Sequence, residues 1–389
     1  MNHRSSSRAQ STVQARAPRL LLGALATFAM MLGIAGAGAA TAAADTVIDT
    51  IPVGNAPQGV AITPDGTFAY VANAQANSVS VVDTGTNMVV GAPIPVGPSP
   101  FGVAITPNGT RAYVTNNFSN SVSVIDTGTN IPITTVTVGN FPAGVAITPD
   151  GALAYVANFG DNTVSVIDTG TNMILGVPIP VGNGPVGVAI TPDGALAYVT
   201  NNFSGTVSVI DTDTDTVVGA PLPVGGFPNG VAITPDGTRA YVTNFGDNTV
   251  SVIDTGTNTV VGVPIPVGSN PQGLAITPDG KRAYVTNLGS TTVSVIDTGA
   301  NAVVETVSVG NEPFGVAITP DGTRAYVTNR DDDTVSVIAI KKCLGSLCFG
   351  SLAGAGSLVG GGSTGSGGTG SVAGGGSLAG AGSAGSAGS

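Results

Sequence analysis

The chain has 389 residues, with 23 Asp or Glu against 12 Lys or Arg and a formal net charge of −11. A surface with that balance offers no basic patch to a phosphate backbone, which argues against nucleic acid as a partner. The single histidine is His3, near the N-terminus, so nothing after it can supply Ser-His-Asp or Cys-His catalysis, a histidine metal site or an imidazole proton shuttle.

In chain order, Arg4, Arg8, Arg16 and Arg19 lead into an apolar run, Leu20 to Ala44, that ends in Ala40-Thr41-Ala42 and Ala42-Ala43-Ala44. A basic start, an apolar centre and small residues at the end predict a secretory signal peptide over residues 1–44. The alternative is an uncleaved anchor, since about 20 apolar residues can span a bilayer. Cleavage removes four arginines and no acid, taking the net charge to about −15 and leaving no membrane span. The expected location is secreted, extracellular or associated with the cell envelope.

From Asp45 to Ile340 one module is written seven times. Tyr70, Tyr113, Tyr155, Tyr198, Tyr241, Tyr284 and Tyr326 mark the copies, at spacings of 43, 42, 43, 43, 43 and 42 residues. That period, with turn residues every few positions, predicts an all-β, seven-bladed propeller of four-stranded antiparallel blades over residues 45–340. Proline and glycine recur too often for a helical solenoid of similar period.

The copy around Tyr241 shows the elements. Strand a, Val231 to Thr234, is apolar on both faces and belongs innermost. Thr234-Pro235-Asp236-Gly237 forms a tight hairpin turn. Strand b runs from Arg239 to Asn244 and strand c from Thr249 to Asp254, each alternating its faces. Asp254 to Asn258 turns the chain. Strand d, Thr259 to Val267, carries Pro264 and Pro266 and belongs at the rim, where a length difference costs least. Asp45 to Gly54 matches the end of a module, and the last module stops after its third strand at Ile340. The N-terminal segment is therefore expected to supply the fourth strand of the last blade and close the ring, hiding an otherwise unpaired edge.

Beyond Lys341 the composition changes. Cys343 and Cys348 can pair in an oxidising compartment. The Gly-, Ser- and Ala-rich remainder of residues 341–389 gains too little from burial to order itself and reads as a flexible spacer, with a wall tether as the alternative.

Tyr-Val-Thr-Asn recurs at Tyr113, Tyr198, Tyr241, Tyr284 and Tyr326, with Tyr-Val-Ala-Asn at Tyr70 and Tyr155, beside ITPDG and VSVIDT. Over all seven modules this resembles the YVTN family of β-propeller repeat proteins. The resemblance implies a propeller fold and an exported, surface-layer-like location, with lactonase-like propellers as distant kin. It transfers no catalytic residue.

The copies also act as an internal control. TPDG and the DT turn hardly change and share one face of the disc. The d-to-a and b-to-c connections lie on the other face and diverge. The residue before the glycine of strand a is Gln58, Phe101, Ala143, Val186, Asn229, Gln272 and Phe314, and these should ring the central mouth. Gln58, Phe101, Phe141, Phe227, Asn229, Gln272 and Phe314 are the candidate ligand- or partner-binding residues, since aromatics and amides on loops are typical binding groups. Alternatively, the phenylalanines simply plug the funnel. Asp331, Asp332 and Asp333 offer oxygen ligands for calcium, although the EF-hand spacing is absent and a solvated acidic loop explains them equally. No other cofactor is indicated. Two functions follow: an exported non-enzymatic scaffold that binds a protein or cell-envelope component through the divergent face, or a lactonase-like hydrolase using a cation held by Asp and Asn.

Overall fold

In strand b of each module, residues of the two faces go to different interfaces. The computed structural model describes residues 44–341, and within it Ala240, Val242 and Ile253 pack against Tyr198, Val207 and Val209 of the preceding module. On the opposite face, Tyr241, Val250, Val252 and Ile265 pack against Leu274, Ala283, Val285 and Ile296 of the following one. Period-2 alternation thus builds a core between modules rather than within them. Seven such interfaces close the circle, the last joining Ile51, Tyr326, Val335 and Val337 to Ala69, Val71 and Val82.

Each module is an antiparallel sheet in the order a-b-c-d, giving seven blades. We number the blades 1 to 7 from Tyr70 to Tyr326. In blade 5 the strands are Pro228–Ile233, Arg239–Asn244, Thr249–Asp254 and Thr259–Pro266. The only other elements among the described residues are two short 3-10 turns, Asn117–Ser119 and Asn202–Ser204. No helix there is long and apolar enough to cross a membrane.

Ring closure follows the expected route. Thr46–Pro52 pairs antiparallel with Thr334–Ala339, from Thr46 opposite Ala339 to Pro52 opposite Thr334. Without it, strand c of blade 7 would present an open edge.

The difference between 42- and 43-residue modules is absorbed in strand d. In blade 5 two extra residues bulge out between the pairs Val252–Val261 and Val250–Ile265. In blade 6, one residue shorter, the bulge between Val295–Glu305 and Ile296–Val303 holds one. Gly262 occupies the larger bulge at φ +72°, a conformation that strongly favours glycine.

Strand a is innermost as expected, but in blade 5 only its first two residues, Pro228 and Asn229, are buried along Pro228–Ile233. Strands b and c hold the fully buried residues, because strand a lines the axis and has packed neighbours on fewer sides. The leader, Cys343, Cys348 and the tail lie outside the described residues.

Candidate functional site

The YVTN motif builds the axis. The Tyr113 hydroxyl, fully buried, donates to Asn172 Oδ1 in the c-to-d turn of the next blade at 2.7 Å. Burial pushes the tyrosine hydroxyls up, Tyr70 and Tyr198 to about 12. The motif asparagine ties its own blade: Asn244 Nδ2 donates to Thr249 Oγ1 and Ser251 Oγ at 3.0 and 2.9 Å.

The motif threonine joins inner strands. Gly230 N donates to Thr243 Oγ1, and the Thr243 hydroxyl donates to Gln272 O of the next blade, both at 2.8 Å. The same clamp takes the carbonyls of Ala143, Asn229, Phe314 and Gln58. These are mouth residues, so the motif fixes the backbone that carries the site. Ala72 and Ala157 replace threonine in blades 1 and 3, leaving the Phe101 and Val186 carbonyls unclamped. Glycine lets the inner strands meet: a Cβ on Gly230 would lie 2.4 Å from Gln272 O.

At the divergent face the mouth is a cavity of about 420 Å³ lined by Phe101, Asn117, Phe141, Ala143, Phe159, Val186, Asn202, Asn229, Gln272 and Phe314. Its lining has no charged side chain. Asn117 and Asn202 turn their amides to the Pro142 and Pro228 carbonyls. Asn229 Oδ1 accepts from Asn202 at 3.1 Å. That leaves the Gln272 amide and Asn229 Nδ2 as donors to an occupant, set among phenyl rings.

Of the ring expected at the mouth all but Gln58 line the cavity, and the candidate binding residues are brought together only in part. Phe101, Phe141, Asn229, Gln272 and Phe314 line the cavity. Gln58 does not. The Phe101 and Phe314 rings, from the blades on either side of it, meet edge to face at 5.5 Å. Gln58 Oε1 is buried with no hydrogen-bond partner. Phe227 sits outside the lining, 51% exposed, at φ +52°. Asn117, Phe159 and Asn202 were not singled out by sequence. They open the b-to-c loops of blades 2, 3 and 4, directly after the motif asparagine; Phe245 stands at the same place in blade 5 without lining the cavity, so the loop sequence alone does not single them out.

Eight of the nine described phenylalanines lie on this face, all but one of them in blades 2 to 5. Phe118 and Phe203 are 70% and 62% exposed. Phe118 meets Phe141 at 6.4 Å and Phe159 meets Phe203 at 5.0 Å, both near edge-to-face. Blades 7 and 1 contribute a polar sector instead, with Arg330 and Glu312 paired at 3.7 Å.

The loop aspartates are engaged with the main chain. Asp161 accepts from Asn140 N and Nδ2, both at 2.7 Å, and Asp247 from Gly226 N at 2.7 Å. Asp332 accepts from Asn311 N and Nδ2, and Asp333 from Ala56 N at 2.8 Å. Asp331 is exposed. Each bonded carboxylate fastens a d-to-a loop to a b-to-c loop, and among the described residues no three Asp, Glu, His or Cys side chains are grouped to share a metal ion. The residues at the mouth do not fit an Asp- and Asn-held cation.

Comparison with known proteins agrees with this architecture. No curated protein matches the chain significantly. Among solved structures, a chain described as Kuenenia stuttgartiensis Hydrazine Synthase is similar, with a TM-score of 0.69 and 29% identity, covering 73% of this chain and 96% of that one. A family model described as Lactonase, 7-bladed beta-propeller matches residues 94–221, 176–302 and 230–351, together more than half of the sequence. With seven closed blades and that match, the chain belongs to the seven-bladed β-propeller lactonase family.

Proposed function

We propose that this protein is an exported, non-enzymatic scaffold of the YVTN type that binds a protein or cell-envelope component through the face bearing the d-to-a and b-to-c loops. The observation that carries this reading is the concentration of phenylalanine and amide groups on the one face where the seven copies diverge. Exposed aromatic patches on a rigid ring are contact surfaces, and rings set edge to face lose little freedom on docking. The uncharged cavity at the centre suits an apolar or neutral polar moiety that takes hydrogen bonds from Gln272 and Asn229.

The test is the double variant Phe118→Ser/Phe203→Ser, assayed for binding to the host's own cell-envelope fraction. Both side chains are more than half exposed, so melting should stay within about 0.5 kcal/mol of the parent. Binding should fall at least about tenfold, since exposed aromatic anchors of this kind carry roughly 1.5–3 kcal/mol each. Unchanged binding would remove the proposal.

The family match supports a second reading, hydrolysis of a lactone. Its test is turnover of simple lactones by purified protein, and turnover well above the uncatalysed rate would favour it over the scaffold.

A further inference from the structure

The ring is cut inside a turn, and the cut is organised around the backbone nitrogen of Asp45. In the complete blades the equivalent residue is Asn or Asp at the end of the c-to-d turn, and in blades 2 and 3 its N–H stays within that turn. Asn130 N donates to Asp126 O at 2.8 Å and Asn172 N to Asp168 O at 2.7 Å. Blade 7 has no such connection, because its third strand ends at Ala339 and its fourth begins at Thr46. Asp45 nevertheless occupies the same place. Its side chain, 0% exposed, accepts from the Tyr284 hydroxyl at 2.5 Å and Lys341 N at 2.7 Å and pairs with Arg282 at 3.2 Å. Its freed N–H turns to a new partner, Glu305 Oε1, at 2.7 Å.

Glu305 exists only here. The corresponding residue in blade 2 is Thr134, and the only other glutamate after the leader is Glu312, in a loop. The local charge is unbalanced while Asp45 is an internal residue: two carboxylates, Asp45 and Glu305, face one guanidinium, Arg282. A carboxylate half-buried beside another acid needs a cation, and an amide N–H supplies only a dipole. The residues before Asp45 are Ala42-Ala43-Ala44, small side chains at the positions an export peptidase reads.

We infer that the Ala44–Asp45 peptide bond is the processing site, and that the α-ammonium released there pairs with Glu305 and completes the seam between blades 6 and 7. The step is hydrolysis by an export-linked endopeptidase. The Ala44 carbonyl carbon takes the water hydroxyl, and the Asp45 nitrogen leaves with its proton and is protonated to the ammonium. Asp45 is 4% exposed in the folded ring, so the cut precedes ring closure. The cation then brings the two carboxylates and the guanidinium to neutrality. Burial and the Asp45 charge push the Glu305 carboxyl up, and an adjacent ammonium opposes both.

This inference rests on reading residues 1–44 as a cleaved leader, and its readouts do not involve any ligand. N-terminal sequencing of the full chain exported by its host should begin Asp-Thr-Val-Ile. Two full-length mature chains are then released from a cleavable fusion, one starting at Asp45 and one at Ala42, each as parent and as Glu305→Gln. Gln keeps the acceptor oxygen and removes only the charge. The Asp45 chain should melt about 2–4 °C above the extended one, and Glu305→Gln should abolish that difference. A mature N-terminus elsewhere, or a melting difference that survives Glu305→Gln, would overturn the inference.

Discussion

The two faces of the disc are made by the same repeat and solve different problems. On the a-to-b and c-to-d face, one hydrogen-bond pattern is copied blade after blade. In blade 5, Thr234 Oγ1 donates to Asp236 Oδ1 at 2.5 Å, Gly237 N to Thr234 O at 2.8 Å, and Thr257 N to Asp254 Oδ1 at 2.9 Å. On the opposite face the loops are fastened by whatever the local sequence allows: Asp161 in blade 3, Ser204 in blade 4, Asp332 in blade 7. Where the backbone needs are met identically, side chains are fixed by folding. Where they are met in several ways, side chains are free to serve recognition. Stability should therefore respond to the first face, and binding to the second.

Acid is the largest expected blow to the uniform face, since it reaches every copy at once. Hydrogen bonds from the Thr63 hydroxyl and Thr67 N–H hold the Asp65 carboxyl below the usual carboxylate range, and those from Thr86 do the same for Asp83. Equivalent donors lower Asp126, Asp150, Asp168, Asp193, Asp211, Asp236, Asp254 and Asp279. A depressed folded value means the stabilisation is fully present above the ordinary carboxylate pKa of about 4, and is lost as pH falls through the lowered values. Melting temperature measured from pH 6 to pH 2 should hold and then drop steeply below about pH 4. A flat profile down to pH 2 would show that these turns do not stabilise the ring.

A smaller effect separates the turns from the axis. A Cβ on Gly230 meets the Gln272 carbonyl of the next blade at 2.4 Å, and backbone on both sides cannot move aside. Gly230→Ala should cost about 2–3 kcal/mol in urea unfolding. Gly256, in the DT turn, meets only Asp254 Oδ1 at 3.5 Å. Gly256→Ala should stay within about 0.5 kcal/mol. Equal costs would mean that the inner strands are not in the close contact described.

What could be read from the sequence follows the same division. Turn chemistry is local, so ITPDG and DTGTN disclosed their hairpins, and the strand d indel disclosed its bulge. The closing strand was legible because Asp45 to Gly54 matches a segment elsewhere in the chain. The roles of Tyr and Thr in the YVTN motif were not. Tyr113 and Asn172 are 59 residues apart in sequence, and nothing within one module shows that its tyrosine serves the next. Asp332 looked like a calcium ligand for a similar reason. Its partners are the N–H and side-chain amide of Asn311, 21 residues earlier, which nothing within the acidic run displays. The cavity was half legible: the positions flanking strand a were found by comparing copies, whereas Asn117, Phe159 and Asn202 reach it from loops whose paths differ.

The last and smallest effect turns on the two blades that lack the motif threonine. Blade 1 has Ala72 where five blades have a hydroxyl that accepts from the glycine N–H of strand a and donates to the next inner carbonyl. The unmade partners there are Gly59 N and Phe101 O, and a Cβ on Gly59 would lie 2.4 Å from Phe101 O, as close as Gly230 is to Gln272 O. Inner-strand spacing in blade 1 therefore already matches that of clamped blades. Ala72→Thr should place its hydroxyl between those groups and raise stability by about 0.5–1.5 kcal/mol, the net value of a buried hydrogen bond. Because the new hydroxyl would also accept from the Gly59 N–H, as Thr243 does from Gly230, the same change should slow amide exchange at Gly59. A loss of stability would mean that the extra methyl of threonine overpacks blade 1 against blade 2, and that the alanine is there for space rather than for freedom of the mouth.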